Sequence, residues 1–215
     1  MNTDLKKRII TSFFLFLLFY LILNFDKILV YTLIVLGIFS IIEFNSLIKK
    51  VKINSFYFSI MNLFFIFYVF AFCSIFLIFS HFLQLKIIIF SLLISCVGSD
   101  IGGFIFGKIF KGPKLTKISP KKTISGAIGS LIFACLFFSL SIFYFTNNIN
   151  FEIFLVAIIT SISCQIGDLF FSFLKRRAKV KDTGNIFPGH GGVLDRIDGI
   201  FFGIPIGFLV LKLFY

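Results

Sequence analysis

The chain has 215 residues, of which 59% are hydrophobic and 14% charged, with a formal net charge of +12. A soluble domain carries nearer half apolar and a quarter charged residues, and a membrane span takes roughly 20 apolar residues, so the apolar supply covers six or seven spans joined by short loops. A soluble globular enzyme, a disordered chain and a secreted disulfide scaffold are excluded, and no nucleic-acid partner is expected, because no soluble fold is left to present the positive charge.

Lys6-Lys7-Arg8 precedes a first apolar run, 9–25. No small-residue cleavage site follows at Asn24-Phe25-Asp26-Lys27 and a second run begins at once, so the reading is a retained helix and not a signal peptide. Further runs at 28–48, 56–80, 85–109, 125–146, 151–174 and 194–214 predict an all-α, polytopic transmembrane helical bundle of about seven spans. With the N-terminus cytoplasmic, 18 of the 21 basic residues fall inside and only Lys27, Lys86 and Lys212 outside. That bias orients the chain by the positive-inside rule, with an even number of spans between Lys52 and Lys108.

The 36 Phe without a Trp are read as coding bias, with interfacial anchoring left to Tyr and Lys. Cys73, Cys96, Cys135 and Cys164 stand singly within apolar runs and are read as inert buried thiols.

Twelve of the 18 inner charges crowd into 108–122 and 175–196, a basic surface suited to nucleotide and anionic lipid headgroups. Beside it lie five of the nine acidic residues: Asp100, Asp168, Asp182, Asp195 and Asp198. An acid within a membrane helix is costly, and several from three helices speak for function over isolated ion pairs. In the sixth run Ser161, Gln165, Asp168, Ser172 and Lys175 form one helical stripe. In the seventh, Asp195 and Asp198 share a face, and Gly199, Gly203 and Gly207 continue from Asp195 at four-residue steps. The fourth carries Ser91, Ser95, Ser99, Gly103 and Gly107 at the same spacing. Both small-residue ladders are read as packing faces that bring the acids together. Asp195 also has a simpler role, an acid in a helix's first turn offsetting the macrodipole.

Ahead of the last run stands Pro188-Gly189-His190-Gly191-Gly192. Closely spaced glycines before a helix start suit an anion-binding nest, or a tight turn with no ligand. No Walker A pattern is present. Carboxylates, a glycine nest and two basic loops together describe a metal-dependent phosphoryl or nucleotidyl transfer site. A cation transporter could use the same acids, but its site would lie near the midplane between repeats, and no internal repeat is visible.

The run Ser172-Phe173-Leu174-Lys175-Arg176, Lys181-Asp182-Thr183-Gly184 and Phe187-Pro188-Gly189-His190-Gly191-Gly192-Val193-Leu194-Asp195-Arg196-Ile197-Asp198 resembles the signature of the phosphatidate cytidylyltransferase (CDP-diacylglycerol synthase) family. Gly167-Asp168, Ser99-Asp100-Ile101-Gly102-Gly103-Phe104 and Ile118-Ser119-Pro120-Lys121-Lys122-Thr123 also look like that family. Ser125 departs from it, standing where an acidic or amide residue is common, and one or two N-terminal-side helices fewer than in many members are expected. Enzymes that consume CDP-diacylglycerol carry a different motif, with Asp-Gly followed by Ala-Arg and two further acids. Here Asp198-Gly199 is followed by Ile200-Phe201-Phe202-Gly203 and no acid at all.

The resemblance implies cytidylyl transfer from CTP to phosphatidate in phospholipid biosynthesis. It implies Mg²⁺, alone or with a second monovalent or divalent cation, a homodimer, and a bacterial-type inner membrane with the site facing the cytoplasm. Residues 1–98 are then N-terminal transmembrane helices and 99–215 the catalytic membrane domain. Asp168, Asp198, Lys175 and Arg176 are assigned to catalysis, and Asp100, Asp168, Asp195 and Asp198 to metal. Substrate binding falls to Lys121, Lys122, Ser172, Lys181, Asp182, Gly189, His190, Gly191, Gly192 and Arg196. A CTP-dependent lipid-alcohol kinase is the nearest enzyme alternative.

Overall fold

The computed structural model describes residues 3–187 and 191–214. Among these residues it has seven α-helices: α1 (Thr3–Asn24), α2 (Asp26–Val51), α3 (Ser55–Ser80), α4 (Leu83–Phe110), α5 (Ile124–Thr146), α6 (Phe151–Arg177) and α7 (Leu194–Phe214). Each expected apolar run is one helix, with ends displaced by a few residues. Six of them, α2 to α7, are long and apolar enough to cross a membrane, whereas the apolar stretch Thr11–Asn24 within α1 is shorter. The protein is an all-helical, polytopic membrane protein. The division expected at 98/99 marks where the motifs begin, and it falls inside α4.

Local chemistry sets the helix ends. Thr123 caps α5, its hydroxyl accepting from the Gly126 amide at 3.1 Å, and Asn147 closes the helix in the left-handed region at φ 55°. After α6, Lys179 takes that same conformation. Its amide donates to the Arg176 carbonyl at 3.1 Å while the Val180 amide donates to that of Lys175 at 3.0 Å, the paired bonds of a Schellman stop. Lys111 and Gly112, both at positive φ, turn the chain out of α4. The loop that follows folds back on itself through Leu115 N to Lys122 O at 2.8 Å and Ile124 N to Pro113 O at 3.0 Å.

The chain divides into two compact units, each discontinuous in sequence. The first runs to Ile78 and resumes over Leu174–Ile197. Here Leu29, Leu33, Gly37, Ser40, Glu43 and Leu47 form one buried stripe along α2, the three-and-four spacing of a helix with one packed face. Gly37 lets α3 approach at Val69 and Cys73, and the rings of Phe44 and Phe65 stack with centroids 3.9 Å apart. The opposite faces carry outward rows such as Phe64, Phe67 and Phe70, as lipid contact requires.

The second unit comprises Phe79–Phe173 and Asp198 onward. Its interior combines buried rings and aliphatic side chains, such as Ile89, Phe138, Phe171 and Phe201, with a line of buried hydroxyls. Ser95, Thr160 and Ser161 are fully buried, and Ser99 Oγ lies 2.8 Å from Ser161 Oγ. Helices α4 and α5 meet at glycine: a Cβ on Gly102 would stand 2.6 Å from Phe133 Cβ, and one on Gly129 would stand 2.7 Å from the Gly102 carbonyl. The α7 ladder is likewise a packing face, with Gly199 against Cys164, Gly203 against Cys96 and Cys164, and Gly207 against Thr160 and Leu92.

Candidate active site

Within the second unit, Gly167 brings α6 and α7 together: a side chain there would come within 2.7 Å of the Asp198 carbonyl oxygen and 2.9 Å of the Phe202 ring. This close approach brings the chain at Asp168 up to the start of the unit's α7 segment. Asp168 is ion-paired with Lys122, and both side chains remain partly open. Asp198 is 8% exposed, with Oδ1 accepting from the Gly199 amide at 2.9 Å. Asp100 is exposed on α4, one position past the buried Ser99–Ser161 pair. Gln165 extends that polar seam, its Nε2 lying 3.4 Å from Ser161 Oγ. Ser172 is half-buried, Lys121 exposed. Ser125, the departure from the family pattern, donates to the Lys111 carbonyl at 2.5 Å and pairs with Thr123 at 3.0 Å.

The first unit holds the rest of the signature. Asp195 Oδ1 takes Lys175 Nζ at 2.7 Å, and Oδ2 accepts from the amides of Thr183 at 2.8 Å and Gly192 at 3.0 Å. Both oxygens of Asp195 are thereby used, with its side chain 5% exposed, which makes it an anchor for the segment's backbone. Gly191 sits at φ 87° and exchanges both backbone hydrogen bonds with Phe187. A Cβ on it would crowd Asp195 and Asp182. Arg176, Lys181, Asp182 and Arg196 are exposed. Pro188, Gly189 and His190, expected to form part of the nest, lie outside the described residues.

One residue of this cluster was not anticipated. Glu43 on α2 is 4% exposed and accepts from Thr183 Oγ1 at 2.7 Å, Val193 N at 3.0 Å and Leu194 N at 2.9 Å. The amides from Gly191 to Leu194 are therefore bonded within the protein, to Phe187, Asp195 and Glu43. The expected anion nest receives the chain's own carboxylates over these residues. The available signal was an acid inside an apolar run, which is costly unless satisfied. Nothing near it in sequence named its partners.

Among the described residues, no three His, Cys, Asp or Glu side chains are grouped closely enough to hold a metal ion by themselves. What the second unit offers is hard carboxylate oxygen next to lysine, at Asp168 and Lys122. A profile of the cytidylyltransferase family matches residues 6–214, nearly the whole chain. The chain belongs to the cytidylyltransferase family. Among similar curated proteins is a phosphatidate cytidylyltransferase of Rickettsia felis, 43% identical over 121 residues, covering 52% of this chain and 52% of that one. Another, from Rickettsia bellii, is 42% identical over 125 residues, 54% of this chain and 53% of that one. One from Staphylococcus aureus is 47% identical over 111 residues, 50% of this chain and 42% of that one. The chain spans about half the length of the curated relatives it matches. Membership in the cytidylyltransferase family agrees with an acid-and-lysine site and no Walker-type loop.

Proposed function

We propose that this protein transfers a cytidylyl group from CTP to phosphatidate, giving CDP-diacylglycerol and pyrophosphate at a membrane surface. The observation that carries this is the 41–47% identity to proteins named phosphatidate cytidylyltransferase, within a family match over residues 6–214. The chemistry suits the residues. A lipid phosphate is already an anionic nucleophile, so no strong general base is required, and the protein's work is positioning and charge neutralisation.

Mg²⁺ fits the donor set. It prefers oxygen ligands and is commonly held by one or two carboxylates, with waters and substrate phosphates completing the shell, so a protein cage of three ligands is not required. Asp168 and Asp198 would hold it, with Asp100 alongside, and Asp195 drops from the set because both its oxygens already have partners. When bound, the ion would neutralise charge on the reacting phosphates. Lys122, released from Asp168, would take a phosphate oxygen, and Lys121 would stand at the same loop. Arg176, Lys181 and Arg196 are the proposed phosphate-facing side chains of the other segment, with Lys175 held back by Asp195. The active site facing the cytoplasm, the inner membrane location and a homodimer belong to the same proposal.

The test is purified protein in liposomes with labelled CTP, phosphatidate and Mg²⁺. Labelled CDP-diacylglycerol and pyrophosphate are expected only when all three are present. Release of CDP with a phosphorylated lipid would make the protein a kinase instead, and folded protein yielding no liponucleotide overturns the proposal.

A further inference from the structure

Glu43 enters the signature segment from a helix 140 to 151 positions earlier in the chain, and its three bonds all go to that segment or to the first turn of α7. Two motif glycines are shaped by it. A Cβ on Gly184 would strike Glu43 Oε1 and lie 2.9 Å from Cδ and 3.3 Å from Cγ, and one on Gly192 would strike Oε2 and lie 2.5 Å from Oε1. Neither has positive φ. Glycine is required at both for the volume of a carboxylate.

The first amides of a helix form a natural anion site, and Glu43 fills the one at α7. A site so filled leaves substrate phosphate to be held elsewhere. We propose that Glu43 is a positioning residue: from α2 it holds Thr183 and the first turn of α7 in their working shape, and Gly184 and Gly192 accommodate it in preference to cradling phosphate. This rests on the cytidylyl-transfer reading above. It differs from a purely structural anchor in one respect: the proposed substrate-facing side chains Lys181, two positions before Thr183, and Arg196, in the first turn of α7, flank the points it holds, so loosening them weakens CTP binding and not just the amount of folded enzyme.

The decisive experiment uses the full chain in detergent and liposomes. Glu43→Gln keeps the size but places an NH₂ where amide donors already point, so at least one of the three bonds is lost. Expected is a KM for CTP raised about tenfold, as for the loss of a hydrogen bond to a charged group. Maleimide labelling of an Asn185→Cys reporter should also become several times faster, while a Lys114→Cys reporter is unchanged. Thr183→Val, which removes the hydroxyl donor, and Gly184→Ala, which displaces the carboxylate, should move both readouts the same way, and they carry the test if Glu43→Gln does not fold. Unchanged KM and unchanged Asn185→Cys labelling in these variants overturn the proposal. Parent protein that makes no liponucleotide counts against the cytidylyl-transfer reading, and the labelling comparison still decides the role of Glu43.

Discussion

Lys122, from the loop between α4 and α5, is ion-paired with Asp168 of α6 while the two side chains stay 25% and 30% exposed. A pair that open contributes only about 0–1 kcal/mol to stability, too little to explain an acid in a membrane helix on structural grounds. Asp168→Asn should therefore leave the melting temperature in detergent nearly unchanged. Turnover should fall by about 100-fold or more and the Mg²⁺ requirement rise, as for loss of a metal-supporting carboxylate. Near-normal turnover and metal dependence would remove Asp168 from the metal set.

Asp198→Asn makes the same demand at a buried position. The amide keeps the volume and can still accept from Gly199, so folding should survive while activity drops as steeply as for Asp168→Asn. Asp182 is exposed, and Asp182→Asn should cost much less. Equal losses at 182 and 198, measured as initial rates over a Mg²⁺ series, would contradict the assignment.

The Lys175–Asp195 pair is of the other kind. Its side chains are 13% and 5% exposed, and Asp195 also satisfies two amides. Asp195→Ala should destabilise by about 3–5 kcal/mol, because it strands a buried ammonium and two buried donors. Thermal unfolding in detergent measures this, and the metal requirement of whatever enzyme survives should not change.

Gly167→Ala tests the helix contact beneath the acids. A methyl 2.7 Å from the Asp198 carbonyl should cost about 1–3 kcal/mol through overpacking and lower turnover by shifting α7 against α6. A fully stable and active alanine variant would show that this approach is not needed.

For sidedness, single cysteines at Lys114 and Lys179 should react with an impermeant reagent only from the cytoplasmic side, following the distribution of basic residues. Labelling of either from outside overturns that topology.

The helices were legible because a bilayer-spanning segment must be long, apolar and fully hydrogen-bonded within itself; the sequence offers seven apolar runs, each a helix, and six of those helices are long and apolar enough to span among the described residues. The packing role of Gly199, Gly203 and Gly207 was legible for the same reason, since four-residue spacing of small residues has few other uses. The acids were legible as costly residues, and the first-turn position of Asp195 already set it apart from Asp168. Its burial and the donors around each of its oxygens were not legible, because they come from Thr183 and Lys175 across the loop. The glycine segment shows why a nest cannot be read from donors alone. Free amides were inferred from Gly191 and Gly192, and the acceptor that takes the neighbouring ones is a carboxylate 150 positions away.

That separation has a consequence for biogenesis. Synthesis at about 5–20 residues per second leaves α2 waiting roughly 7–30 s before Thr183, Val193 and Leu194 exist to receive Glu43. During that interval the Glu43 carboxyl is without the three partners it has in the folded protein. Glu43 stands six positions before Lys49, about 9 Å along the axis at the usual helical rise. The carboxyl can therefore reach headgroups and water until its permanent partners arrive. A chain truncated before Thr183 should therefore leave Glu43 accessible to water, and a Glu43→Cys variant of it should react faster with maleimide than the same variant of the full chain.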